Sequence, residues 1–292
     1  MTTSTLTGPL VVTGATGQLG RLVLAALLKR VPAAQLVAAV RTPEKAQDLA
    51  ALGIQVRKAD YDQPETLVEA FRGAAKVLLI SSNEIGQRFA QHRAAVDAAK
   101  AAGVPLLAYT SLLHAETSPL PLALEHQETE AYLKASGLPF VLLRNGWYTE
   151  NYTASIPSAL QHGAFLGSAG DGKIASAARA DYAEAAAAVL LRDHQAGQVY
   201  ELAGDAAYTL RELAAEISRQ SGQAVAYQNL PEAEYLAILL GAGLPGPIAS
   251  LLAESDAGAA KGGLFDDSRT LSRLIGRPTT PMAETVRAAL RG

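Results

Sequence analysis

The 292-residue sequence contains no cysteine, which removes disulfides, thiolate nucleophiles, iron–sulfur clusters and cysteine-bound zinc together. A reducing cytoplasm is the setting most compatible with that absence. Charge of either sign in excess is also lacking: 25 basic against 28 acidic side chains leave a formal net charge of −3. There is no basic footprint for nucleic acid and no Lys/Arg cluster suited to an anionic bilayer, so neither nucleic acid nor membrane is expected as a partner. Apolar runs stay far below the roughly 18 uninterrupted residues of a membrane-spanning helix; Leu22–Leu28 stops at Lys29-Arg30. Met1 to Gly8 is Thr-rich, without a basic stretch leading into an apolar one, and does not read as a signal peptide. Aromatics are scarce at 5%, which speaks weakly against a flavin held between rings. His92, His114, His126, His162 and His194 show no metal-ligand spacing, and no metal is expected.

What is present is an apolar chain, 49% hydrophobic and 18% charged, which excludes disorder. At roughly 150 residues per domain it allows two units, or one larger α/β unit with an appendage. Short apolar runs alternate with amphipathic stretches. Leu10–Thr13, Leu36–Arg41, Gln55–Ala59, Lys76–Ser81, Pro105–Thr110 and Pro139–Arg144 read as strands. Gln18–Arg30, Pro43–Leu52, Pro64–Phe71, Gly86–Ala102 and Leu122–Ser136 read as helices, with Gly53, Gly73, Gly103 and Gly137 at their ends. Strands apolar on both faces and separated by helices predict an α/β fold: a Rossmann-like, doubly wound parallel sheet with helices on both faces.

After residue 150 the alternation loosens. Asp181–Leu191 and Thr209–Ser221 read as helices, Val199–Leu202 and Ala224–Gln228 as short strands, and Glu232–Ala260 as helical but broken by Gly241–Pro247. The expectation is a nucleotide-binding domain over residues 1–150. A smaller, partly helical substrate unit follows over 151–292, with part of the chain returning to complete the sheet.

Leu10-Val-Val-Thr13 runs into Gly14-Ala15-Thr16-Gly17-Gln18-Leu19-Gly20 and then into a helical stretch, the order of strand, glycine turn and helix that a dinucleotide site requires. Gly14 permits the turn, Gly17 lets a pyrophosphate approach the backbone, and Gly20 lets the helix lie close to the strand. Free amides at the helix start then face the anion. The bland alternative is that the glycines serve turn and packing alone. The G-x-x-G-x-x-G spacing resembles the extended or atypical branch of the short-chain dehydrogenase/reductase superfamily.

Cofactor choice is expected at the end of the second strand, where a carboxylate would bind a ribose 2′-hydroxyl and an Arg a 2′-phosphate. That strand ends in Arg41, with no carboxylate until Glu44. Arg41 therefore favours NADP(H), with Lys45 adding charge from the next turn, unless both are plain solvated charges. Asp60, followed by Tyr61, ends the third strand where a side chain can reach an adenine edge; a capping role competes, for which Asp62 before Pro64 is better placed. Ser81, Ser82 and Asn83 end the fourth strand beside the expected ribose and nicotinamide, or form an ordinary polar turn.

Most short-chain dehydrogenases draw their catalytic acid from a Tyr with a Lys four residues later. None of the ten tyrosines here has that Lys. Gly137-Leu-Pro, an apolar strand and Arg144-Asn145-Gly146-Trp147-Tyr148-Thr-Glu150-Asn151 instead resemble the NmrA-like group of atypical short-chain dehydrogenases, and within it the quinone and triphenylmethane dye reductases. The resemblance runs through nearly the whole chain, including Ala180-Asp181-Tyr-Ala-Glu184 and Tyr200-Glu-Leu-Ala-Gly-Asp205. It implies that Gly14 to Gly20 bind pyrophosphate, Arg41 the 2′-phosphate, and Ser81-Ser82 the nicotinamide ribose region. It further implies that Thr110-Ser111 lie beside the cofactor, and that Asn145, Trp147 and Tyr148 line the nicotinamide and substrate pocket. Asn145 can hydrogen-bond a carboxamide or a quinone oxygen, and the single Trp offers a flat face, or is simply a core aromatic. Arg144 reads equally as a buried ion pair or a cap. Where some relatives carry a catalytic Lys this chain has His126, a proton relay or a structural histidine.

Implied overall is an NADPH-dependent oxidoreductase that passes a hydride directly to a quinone or similar planar acceptor, a reaction needing little acid catalysis. The alternative is an NADP(H)-binding, redox-sensing regulator without turnover. The oligomeric state stays open, a homodimer being compatible with the chain.

Overall fold

The structure, a computed structural model, describes residues 7–291; Met1–Leu6 of the Thr-rich amino terminus lie outside the described residues. The strands are β1 (Leu10–Thr13), β2 (Leu36–Val40), β3 (Gln55–Lys58), β4 (Lys76–Leu79), β5 (Leu107–Leu112), β6 (Phe140–Asn145), β7 (Ala164–Gly167), β8 (Val199–Leu202) and β9 (Ala226–Asn229). β1, β2 and β5 are buried at every residue because their sequences are apolar or small on both faces. They belong to a seven-stranded sheet ordered β3-β2-β1-β4-β5-β6-β8. The pairs β1–β2, β1–β4, β2–β3 and β4–β5 all run parallel. Strand order reverses between β1 and β4, which places the dinucleotide crevice of such folds at the carboxyl ends of those two strands.

The chain divides into two compact units, the first made of residues up to Leu112, Glu125–Arg144 and Tyr182–Tyr200. This differs from a single cut at residue 150. The segment 182–200 belongs to the first unit, and β8 enters the large sheet, while 113–124 belong to the second. On one face of the sheet Val11, Val37, Val77, Leu107 and Leu142 pack with Leu67, Phe71, Val96 and Leu133 from helices Pro64–Phe71, Arg88–Ala101 and Ala123–Ala135. Each such side chain, fully buried, contributes about 1.5–3 kcal/mol.

Three expectations are corrected in detail. β3 is not apolar on both faces: Gln55, Val56, Arg57 and Lys58 are exposed or half-buried, as an edge strand permits. β4 stops at Leu79 rather than Ser81, because the Ile80 amide donates to Thr13 Oγ1 (3.0 Å) and the Ser81 amide to Thr110 Oγ1 (2.9 Å) in place of a neighbouring strand. Pro43–Leu52 is not one helix but a 3-10 turn, Pro43–Ala46, followed by Gln47–Ala51.

In the second unit β7 and β9 pair in parallel from Ala164 and Ala226 to Gly167 and Asn229. Helix Leu210–Ser221 opens on a capping box: Thr209 Oγ1 accepts from the Glu212 amide (3.1 Å) while the Thr209 amide donates to Glu212 Oε2 (2.7 Å). The broken apolar segment folds as two helices, Glu232–Gly241 and Gly246–Ala260, with Gly243 at φ +86° in the turn between them. Asp256 on the second of these is buried. Its carboxylate accepts from the Ser168 amide (3.0 Å) and the Tyr152 hydroxyl (3.2 Å), yet burial pushes its pKa up to about 6.

A carboxyl with a folded pKa near 6, above its ordinary 3.8, keeps its proton in the folded protein at pH values where the unfolded chain has lost it. Stability should therefore fall as pH rises from about 4 to about 6 and level off above, by up to about 3 kcal/mol from this group. Urea titrations at several pH values test this: Asp256→Asn should flatten that decline, and a variant profile parallel to the wild type would contradict it.

Candidate functional site

In the first unit the turn after β1 is drawn tight. Gly14 takes φ +57°, and the Gly17 amide donates to Gly14 O (2.9 Å). A Cβ on Gly20 would lie 2.4 Å from Gly14 O and 2.7 Å from Ala15 Cα, so only glycine lets helix Gln18–Leu28 come this close. Gly17 is the N-cap of that helix and no side chain caps it. The helix's first amides, from Gln18 on, are thus available to an anion. Thr16 is half-buried and Gln18 exposed, while Leu19 turns into the core.

Arg41, just past β2, is exposed and pairs with Glu84 (2.8 Å), and Lys45 is exposed on the following 3-10 turn. Asp60 is occupied locally, its carboxylate accepting from the Asp62 amide (3.2 Å) and Gln63 Nε2 (3.2 Å). Asp62, preferred as a cap from the sequence, makes none; Gln63 is the N-cap of Pro64–Phe71. The Tyr61 hydroxyl donates to Thr13 Oγ1 (3.1 Å), and burial pushes its pKa up to about 12. Tyr61 therefore braces the end of β1.

After β4, the Ser82 amide donates to His92 Nε2 (2.9 Å), its hydroxyl bonds Gln91, and its carbonyl accepts from Arg88 Nε (2.7 Å). Glu125 accepts from the amides of Gly86 (3.2 Å) and Arg88 (3.1 Å). Thr110 holds Ser81 from the side, Asn83 is exposed, and the Ser81 hydroxyl lies 3.5 Å from Ser82 O and also meets the Tyr109 hydroxyl.

Two buried networks lie behind that loop. His92 Nε2 accepts from Ser82, so its Nδ1 carries the proton toward Thr129 Oγ1 (3.0 Å); Tyr109 Oη stands 2.7 Å from His126 Nδ1. Burial lowers the pKa of His92 to about 3 and that of His126 well below its ordinary value, and raises that of Tyr109. His126 is thus a neutral, buried partner of Tyr109 and can pass a proton only by exchanging tautomers. Ser111 donates to Glu130 Oε1 (2.6 Å), and Glu130 grips Arg144 through Nε (2.9 Å) and a second nitrogen (2.5 Å). Of the two readings of Arg144, the buried ion pair is the one realised.

In the second unit Asn145 is buried and its side chain hydrogen-bonds Tyr148, while its Oδ1 has no partner. Trp147 is 6% exposed, so it forms a wall of the core rather than an open platform. Tyr148 is half-buried with the Arg179 guanidinium 4.6 Å above its ring. The Arg179 amide donates to both carboxylate oxygens of Glu150 (2.9 and 3.0 Å). Arg179 in this unit, and Glu84 and Gln91 in the first, belong to no motif; only their neighbours in space mark them. Among the described residues no group of three or more His, Asp or Glu side chains could hold a metal ion, and no helix is long and apolar enough to cross a membrane.

A family model described as the NmrA-like family matches residues 7–280. Quinone oxidoreductase 2 of Escherichia coli (strain K12) is 62% identical over 275 residues, covering 94% of this chain and 96% of that protein. The crystal structure of the NADPH-dependent quinone oxidoreductase of Escherichia coli complexed with NADPH superposes with a TM-score of 0.94, at 61% identity, covering 96% of this chain and 99% of that one. Triphenylmethane reductase of Citrobacter sp., complexed with NADP(H), gives 0.92 at 40% identity, covering 96% and 99%.

The Glu130–Arg144 pair is bidentate and almost fully buried, so removing one partner strands the other charge out of water. Glu130→Ala should cost about 3–5 kcal/mol in urea unfolding, and replacing both partners by apolar residues should recover most of it. A loss below about 1 kcal/mol for Glu130→Ala would contradict this.

Proposed function

Because this chain belongs to the NmrA-like family of Rossmann-like reductases, we propose that it is an NADPH-dependent oxidoreductase acting on quinones or similar planar acceptors. Full-length likeness to an NADPH-dependent quinone oxidoreductase carries the proposal. The residues present fit the cofactor: a helix start without a side-chain cap after a tight glycine turn, an exposed Arg just past β2 that is paired with Glu84, and a buried amide oxygen lacking a donor.

When bound, NADPH supplies the hydride. The chain's own part is to bind and orient. Amides from Gln18 onward would hold the pyrophosphate, and Arg41, with Lys45 nearby, the 2′-phosphate. Ser81 faces the ribose. Asn145 Oδ1 accepts from the nicotinamide carboxamide, which satisfies an oxygen that is costly to leave buried and unpaired. Tyr148, stiffened by Asn145 and Arg179, borders the acceptor, with Trp147 behind it. Proton delivery is undemanding, since a hydroquinone anion takes its proton from water, and no Tyr/Lys pair is needed. His126 and Tyr109 offer at most a neutral relay. A cytoplasmic setting and a homodimer accompany the proposal as its expected context.

Purified protein mixed with NADPH and a panel of benzoquinones, naphthoquinones and dyes should consume NADPH faster than the protein-free blank with at least some acceptors. Tight NADPH binding without consumption across the panel would instead favour the redox-sensing regulator. Arg41→Ala should weaken NADPH binding about tenfold and leave NADH nearly unchanged, because only the phosphate contact is lost. Equal losses for both cofactors would overturn the NADPH preference.

A further inference from the structure

Among the described residues the polar partner of Arg41 is Glu84, which belongs to the loop after β4. Glu84 is not a loose surface acid. Its Oε1 takes the Arg41 guanidinium at 2.8 Å, and its Oε2 accepts from Gln91 Nε2, also at 2.8 Å. Gln91 is buried and bonded to the Ser82 hydroxyl, and the Glu84 amide donates to that same oxygen (3.2 Å). The hydrogen bond from Gln91 and then the Arg41 charge hold the Glu84 carboxyl below its usual range, so it is ionised throughout neutral pH. Moving Arg41 away would leave the carboxylate held by Gln91 and the Glu84 backbone held by Ser82.

We propose that Glu84 is a specificity-determining residue that competes with the cofactor's 2′-phosphate for Arg41. This rests on the NADPH reading above. A 2′-phosphate entering this strand end must take Arg41 from a carboxylate that cannot follow it, and then sits beside a fixed like charge. A cofactor bearing a 2′-hydroxyl meets neither cost. Glu84 thus moderates a preference that Arg41 alone would make steeper, and it ties the 2′-phosphate corner to Ser82, in the loop that ends at the ribose. The opposite role, in which Glu84 orients Arg41 toward the phosphate, has the opposite sign in experiment.

The test is direct binding, without turnover. Calorimetry with 2′-AMP and 5′-AMP, and fluorescence titration with NADPH and NADH, are run on wild type and Glu84→Gln at low and high salt. The amide keeps the size of the side chain and can still accept from Gln91. Glu84→Gln should bind 2′-AMP and NADPH about three- to tenfold more tightly at low salt, the gain shrinking as salt screens it. Affinities for 5′-AMP and NADH should stay within about twofold. Unchanged or weaker binding of 2′-AMP and NADPH by Glu84→Gln, in a wild type that binds NADPH more tightly than NADH, overturns the competition while leaving the cofactor reading intact. A wild type with no preference for NADPH over NADH overturns both.

Discussion

Everything at the carboxyl edge of the sheet depends on how closely helix Gln18–Leu28 lies against the turn that precedes it. With a Cβ on Gly20 the helix would have to retreat from Gly14 O and Ala15 Cα. Its first amides would then no longer open into the space beyond β1. The absence of a side-chain cap at Gly17 has the same sense. A helix start capped by glycine forgoes roughly a few tenths of a kcal/mol of local stability, and an anionic ligand can supply the missing acceptor. Local stability is given up where function needs an open binding site.

The remainder of the first unit holds that edge still. Thr13, at the end of β1, receives both the Ile80 amide and the Tyr61 hydroxyl, so one hydroxyl oxygen joins β1, the end of β4 and the segment after β3. The loop from Ser81 to Arg88 is then pinned by Thr110, His92, Gln91 and Glu125. Both buried imidazoles in this region are neutral, which suits them to fixing a backbone and makes them poor acids. A site whose chemistry is mostly orientation gains from such rigidity, since each degree of freedom removed in advance is one that binding need not restrict.

Much of this was legible in the sequence. β1 and β8 and the helix Pro64–Phe71 fall at their expected bounds, because apolar period and flanking glycines or prolines marked them. Arg41 was legible as the residue at the carboxyl end of β2, which it directly follows, and the glycine turn from its spacing. What escaped were partners that strand order alone brings together. Glu84 lies 43 residues from Arg41, and Tyr109 lies 17 from both His92 and His126, yet each pair meets in hydrogen-bond range. Asp60 lies two residues past β3 and Ser111 near the end of β5, but their side chains bond Asp62 and Gln63 in one case and Glu130 in the other. A strand end specifies where a side chain stands; which donor or acceptor it takes depends on neighbours from elsewhere in the fold. Asp256 is the extreme instance, an acid on an apolar helix whose burial no local pattern announced.

The central claim is that this chain only binds and orients, and that the reducing equivalents pass from nicotinamide to acceptor in one step. A single-turnover experiment with protein in excess tests it most directly, following NADPH loss and hydroquinone formation together with NADPH carrying deuterium at the transferred position. Simultaneous loss and formation, both slowed by the deuterium, is the predicted result. Hydroquinone that lags behind NADPH loss, or a rate indifferent to the deuterium with every acceptor tried, would contradict it.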